Sequence, residues 1–500
     1  VAVHSEKRTR RPAWLGALAL ALGLAACRSG DAQGSAAPLE VVVSTDVETL
    51  DPRHATDAVS MRVTRLVHAG LSRLDPDTLE PRPYLARAWA WEDPVTLRVE
   101  LREDVRFHGG KALEPEDVIA TVAAFRSPTV GSRHARVVEP IERVEADGPH
   151  AVRIRLRRLH ATLLSDLELP ILRADEAAGP PRPDGLDGLG PYALASFARG
   201  TVELVPADGG ALPRPAHAVR VRTVHDENAR AVRLVAGRTD VAPNVVSPSL
   251  LPALEREGLR VASRPGANLT YVVLRTDRGP TADPEVRRAL AQSLDRQTVV
   301  DALLGGRGRV ASSLLPPGHW AHADAAPFPY DRDGARARLG GRAVHLTWLT
   351  STDRLRVQIA RYLAQEAAAA GLYVEVVPLE LGTMIARLNA GDFDCASLQL
   401  PELAEPNVLR VFLHSESVPP AGANRGRVRD RSLDAALDAG ALANDVARRR
   451  EAYANLEAIV RREAYVIPLW HEDQVVVTSA RAAGFEPSAE GRWLGLAALP

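Results

Sequence analysis

The 500-residue chain carries 62 lysines and arginines against 63 aspartates and glutamates, a formal net charge of −1, with 46% apolar residues. So even a balance excludes a protein drawn to nucleic acid by charge, and no basic stripe along the chain restores that reading. Two cysteines leave no cysteine zinc site.

In chain order, the first signal is a leader: Lys7, Arg8, Arg10 and Arg11 precede an apolar run from Trp14 to Ala26 that ends in Leu24-Ala25-Ala26-Cys27. The run is shorter than the roughly 20 apolar residues of a membrane-spanning helix. Small residues before a cysteine are the mark of a lipoprotein signal peptide. The expectation is therefore a signal peptide over 1–26 and a lipidated Cys27. A flexible tether, RSGDAQGSAAP, completes residues 27–38. The mature chain would sit on the periplasmic or extracellular face, anchored by lipid to the cell membrane or outer membrane; Arg10-Arg11 leave the twin-arginine export route open. Residues 1–26 hold four bases and Glu6, so the remainder carries 58 bases against 62 acids. Cys395 is then the one free thiol, with the profile of a small core residue.

Residues 39–47, LEVVVSTDV, alternate and are rich in β-branched side chains, which predicts an edge or first strand ended by TLDP. Residues 95–107 and 151–156 alternate likewise. Glu114-Pro115-Glu116-Asp117 opens a helix, with proline at its first position, acids in its first turn and Val118, Ile119, Val122 and Phe125 on its apolar face. The Gly/Pro-rich stretch 179–191 marks a boundary. Asp283-Pro284 starts a helix, and Asp295 caps another that stops at Gly305-Gly306. From residue 344 the rhythm is strand (344–349), helix (353–370), strand (372–378), helix (383–390), strand (393–400), with Gly371 at a helix C-terminus. That alternation predicts a parallel sheet with helices on its faces, which binds ligands beyond the strand carboxyl ends.

Enzyme and cofactor motifs are missing case by case. There is no G-x-S-x-G, GGK at 109–111 lacks the upstream glycine of a phosphate loop, and GGRG at 305–308 lacks dinucleotide-fingerprint spacing. His471-Glu472 has no second histidine one turn on, and His54, His68 and His108 form no metal spacing. The reading is no catalytic activity, no cofactor and no metal.

Several segments, in order, carry a family resemblance. TLDP (49–52), VHAGLSRLD (67–75), EPRPYLARAW (80–89), LREDVRFHGGKALEPEDVIATVAAF (101–125), GLGPYAL (188–194), DPEVRRALAQSLDRQTVV (283–300) and IPLWHEDQVVV (467–477) resemble the family 5 extracellular solute-binding proteins of peptide and nickel importers. The resemblance implies an α/β fold of two lobes, the periplasmic-binding-protein type II fold of cluster C, with an extra α+β subdomain on the first lobe. The expected division is lobe I over 39–60, 185–265 and 465–500, the subdomain over 61–184, and lobe II over 266–464. It further implies a monomer that closes on a peptide-like solute and passes it to ABC permease subunits.

Within that resemblance, LQLPELAEPNVLRVFLHS (398–415) matches the segment where an aromatic residue and an aspartate follow a strand, the aspartate pairing with a peptide's α-ammonium. Glu402 stands at the aspartate and Gln399 at the aromatic. Arg275 could meet a ligand carboxylate and Trp320 could wall the cleft, so the candidate ligand-binding residues are Glu402, Gln399, Arg275 and Trp320. Each has a plainer alternative: a solvated loop acid for Glu402, a structural ion pair for Arg275, an aromatic covering core for Trp320. The sequence departs from the family pattern at Ala69, Gly109 and Arg275. Nickel chelates, haem, opines, sugars and glutathione stay open as ligands, and an exported lipoprotein hydrolase is the alternative of another class.

Overall fold

The computed structural model describes residues 37–443 and 445–500. The leader, Cys27 and all but the end of the expected tether lie outside the described residues.

The first strand forms over Leu39–Val43. It is the first but not an edge, because it lies between parallel partners, Val219–Thr223 and Val241–Pro243. Its alternation shows why. Leu39, Val41 and Val43 enter one core with Val219, Val221 and the helix Ala58–Val67, while Val42 enters another with Leu234, Leu251 and Leu254. A strand buried on both faces reads as the near-continuous apolar run seen here. The antiparallel strands Thr201–Pro206 and Tyr192–Ala198 extend this half outward. Helix Ala58–Val67 spans the boundary expected between residues 60 and 61, and its Val63 and Leu66 share the core of Leu39.

In the second half, Val344–Ser351 runs parallel to Leu372–Leu379 and Cys395–Leu400, and Cys395–Leu400 is antiparallel to Leu269–Leu274. Alternate residues again feed opposite layers. Val272, Leu274, Leu346 and Trp348 pack under helices Pro284–Ser293, Arg332–Leu339 and Arg354–Ala369. Tyr271, Val273, Leu349 and Ala396 pack under Leu381–Ala390, Arg431–Leu442 and Val446–Glu463. The helix expected after Asp295 covers Arg296–Leu303, and its last five residues widen into a π turn.

The two halves share one strand, Val466–Thr478. Its first part pairs with Leu269–Leu274, and its last part pairs with Val241–Pro243 and Arg260–Pro265. The second connection is Gly266-Ala267-Asn268. There the Asn268 carboxamide donates to the Glu472 carbonyl at 2.7 Å and accepts from the Glu472 N–H at 2.8 Å. A side chain thus replaces the backbone ladder where the chain crosses.

A separate antiparallel sheet, Ala86–Asp93, Thr96–Leu101, Ala151–Leu156 and Ile141–Ala146, carries helix Pro115–Arg126 on one face. The helix begins as its sequence predicts, with a capping box between Glu114 and Asp117 and proline in the first turn.

Candidate functional site

Two cavities open near the end of Cys395–Leu400, with Gln399 and Pro401 in the wall of both. The larger, of about 490 Å³, lies in the second half. Tyr271, Met384, Ile385, Leu398 and Phe412 give it apolar walls, and Thr350, Ser351 and Arg356 give it polar ones. The smaller, of about 300 Å³, has walls from both halves: Arg62 and Asn244 from the first, Gln399 from the second, and Asn268, Glu472 and Gln474 from the crossing. This is the placement that an α/β sheet favours, beyond strand carboxyl ends.

Helix Ala58–Val67 presents Arg62 and Arg65, three residues apart and so on one face. The GLGP turn seats the end of this helix. The Gly190 N–H donates to the Val67 carbonyl at 2.8 Å, and a Cβ at Gly190 would stand 2.4 Å from the Leu66 carbonyl oxygen. Glycine is required there by close backbone approach, not by its dihedral freedom.

Beside Arg65 stands an ionic cluster that gathers three distant parts of the chain. Arg492 Nη2 donates to Glu402 Oε1 at 2.9 Å and to Glu168 Oε2 at 2.8 Å, and Nη1 donates to the other Glu168 oxygen. Arg65 Nη1 lies 3.9 Å from Glu402, and Arg492 Nε lies 3.9 Å from Glu490. Arg492 is buried, whereas the Glu402 side chain is 34% exposed. Burial opposes ionisation of Glu402, but Arg492, Arg65 and Arg62 outweigh it and hold the carboxyl below its usual range. Glu490 goes the other way: burial raises it despite Arg492. Glu472 is likewise committed, paired to Arg356 and accepting from Thr270 and Trp470.

Gln399 lines both cavities; Glu402, three residues on, lines neither and stands in the ionic cluster, and Arg275 and Trp320 lie elsewhere. Arg275 follows the far end of Leu269–Leu274, is 4% exposed, and is held by Asp277 and the Gly391 carbonyl. It lines neither cavity, because an acid two residues on and a helix-end carbonyl consume its donors. Trp320 packs edge-on against Tyr453, centroids 6.3 Å apart, with the Arg449 guanidinium carbon 4.9 Å from its ring centroid. It covers the core beneath helix Val446–Glu463. Arg62, Arg65, Glu168 and Arg492 have no motif. The one sequence signal is the three-residue spacing of Arg62 and Arg65 on an otherwise uncharged helix.

Comparison with known proteins adds the wider context. The model of the bacterial extracellular solute-binding proteins, family 5 middle, matches residues 80–401. A probable di/tripeptide-binding protein 5 of Pseudomonas aeruginosa is 25% identical over 448 residues, spanning 82% of this chain and 85% of its own. The glutathione-binding protein GsiB of Salmonella paratyphi A is 24% identical over 495 residues, spanning 94% and 95%. NikA of Brucella suis, solved with Fe(III)-EDTA, superposes with a TM-score of 0.82 at 22% identity, covering 92% of this chain and 98% of that one. The fold is thus the two-lobed type II binding-protein fold of cluster C.

Proposed function

The chain belongs to the bacterial extracellular solute-binding proteins of family 5, and from that premise we propose that it captures a peptide-like solute between its lobes and delivers it to an ABC permease. The observation that carries this reading is the cavity of about 300 Å³ with Arg62 on one wall, Gln399 on the opposite half and the crossing residues between them. A ligand that touches both walls binds the closed arrangement more tightly than any open one, and binding energy becomes a shift in lobe orientation. No bond in the ligand needs to break, and the protein works as a binding monomer rather than an enzyme. Gln399 and Glu402 stand at the ligand side of this reading; Arg275 and Trp320 support the scaffold.

Cys27 carries the lipid that holds the protein at the periplasmic or extracellular face. Cys27→Ala abolishes metabolic labelling with a lipid precursor, and persistent labelling removes the anchor.

The test of the binding reading is native mass spectrometry of the protein purified gently from cells in rich medium, followed by denaturation and identification of what is released. A stoichiometric peptide-like solute supports it. A metal chelate, haem or sugar keeps the binding role and changes the ligand, whereas an empty protein that turns over added compounds overturns it.

A further inference from the structure

Glu402 follows the cavity-lining Gln399 and Pro401 but lines neither cavity itself, and its carboxylate is already served by this chain. Arg492 binds it at 2.9 Å, Arg65 stands at 3.9 Å, and Arg62 adds its field from one turn earlier on the same helix. Arg492 cannot swing away cheaply. It is buried, and Glu168 grips both of its terminal nitrogens. Glu168 and Glu490 share the cluster, so its guanidiniums are matched by carboxylates, and a ligand ammonium reaching Glu402 must displace or share an acceptor that Arg492 already holds.

In the smaller cavity the wall acids have partners, Glu472 in Arg356 and Asp473 in the Ser263 hydroxyl, which leaves a guanidinium and a carboxamide to answer a ligand. Among the described residues, the Arg62 side chain makes no hydrogen bond and no ion pair within 4 Å, feeling Glu402 only at longer range, and the Gln399 side chain makes no hydrogen bond. Both line the cavity of about 300 Å³, one from each half. The other amides there are committed: Asn268 to the Glu472 backbone, Asn244 to Gln474 and the Val475 N–H, and Gln474 to the Ala489 carbonyl. A guanidinium and a carboxamide that line one cavity from its two halves suit a carboxylate, which accepts from both. Beyond Gln399, the apolar walls of the larger cavity suit an uncharged body.

We propose that this cleft selects a solute bearing a carboxylate and lacking a free ammonium, such as an N-acylated short peptide. Arg62 and Gln399 receive the carboxylate, and Arg492 is the specificity residue that closes Glu402 to amines. This rests on the solute-binding reading and narrows its ligand class.

The test is calorimetric titration of the full chain with three probes: N-acetyl-Ala-Leu, Ala-Leu, and N-acetyl-Ala-Leu amide. N-acetyl-Ala-Leu binds at least tenfold tighter than either of the others. Arg62→Gln reduces the preference for the acid over the amide to less than threefold, and this partly exposed position tolerates the change. Arg492→Gln raises affinity for Ala-Leu at least tenfold; should it fail to fold, the Arg62→Gln comparison still decides. Ala-Leu binding as tightly as its acetylated form, an unchanged acid preference in Arg62→Gln, or binding of none of the three overturns the inference. Released solute in the mass-spectrometric experiment tells these failures apart from failure of the binding reading itself. A free-amine peptide recovered there sinks only the present inference, whereas an empty protein sinks both.

Discussion

Arg492 Nη2 lies 2.9 Å from Glu402 Oε1 and 2.8 Å from Glu168 Oε2, so one guanidinium near the C-terminus joins carboxylates 234 residues apart in the chain. Removing one partner of a buried ion pair strands the other charges in a poorly solvated place.

Arg492→Met therefore destabilises the protein by about 2 to 3 kcal/mol, less than a fully buried pair because the Glu402 side chain is 34% exposed. Chemical denaturation measures it. Adding Glu168→Gln to Arg492→Met recovers part of the loss, since one stranded charge is removed; strictly additive losses would show that the two residues are not coupled.

Glu457 accepts from Ser313 Oγ at 2.7 Å and from the Leu314 N–H at 2.8 Å, and burial pushes its carboxyl up to about 7 in spite of both donors. Between about pH 4.5 and 7 the folded chain keeps a proton that the unfolded chain has lost. The stabilisation is thus full below the unfolded value and lost as pH rises through 7. Glu457→Gln, whose amide oxygen still accepts from both donors, matches the parent near pH 4 and melts several degrees higher above pH 7. A melting difference that does not change with pH would contradict this.

Gly190→Ala forces a Cβ to 2.4 Å from the Leu66 carbonyl oxygen, with backbone on both sides of the contact. The expected cost is about 2 to 3 kcal/mol. The same change shifts the end of the helix bearing Arg62 and Arg65, so binding of any cleft ligand weakens alongside stability. Unaltered denaturation midpoints would mean that the turn gives way freely.

Cys395 is fully buried, and burial, with Asp394 beside it, raises its thiol well above the usual value. Iodoacetamide at pH 8 leaves Cys395 unmodified in the native protein and alkylates it in denaturant. Rapid native labelling would mean that this part of the sheet opens far more readily than its packing indicates.

Much of the fold was legible because local chemistry and tertiary demand agree. Pro115 and the acids beside it start a helix on their own account, and Ala151–Leu156 keeps the bounds that its alternation predicts. The strand–helix rhythm after residue 344 appears with shifts of one or two residues at most ends. Leu39–Val43 shows the limit. Its residues announce a strand, but only pairing with segments 180 and 200 residues away makes it central rather than an edge.

The site was legible only in part. Resemblance singled out the segment holding Gln399 and Glu402; Gln399 lines both cavities, whereas Glu402 is held in the ionic cluster of Arg492. Arg62, Arg65 and Arg492 were hidden because nearly all bases of this chain are arginine, so no single one stands out. The family resemblance, the alternating elements and the absence of catalytic motifs are readable without coordinates, since these depend on residue type and short spacing. Which cations answer Glu402 follows from tertiary structure alone. Electrostatic partners are set by distance in space, and the residues that meet there are separated by hundreds of positions in the chain.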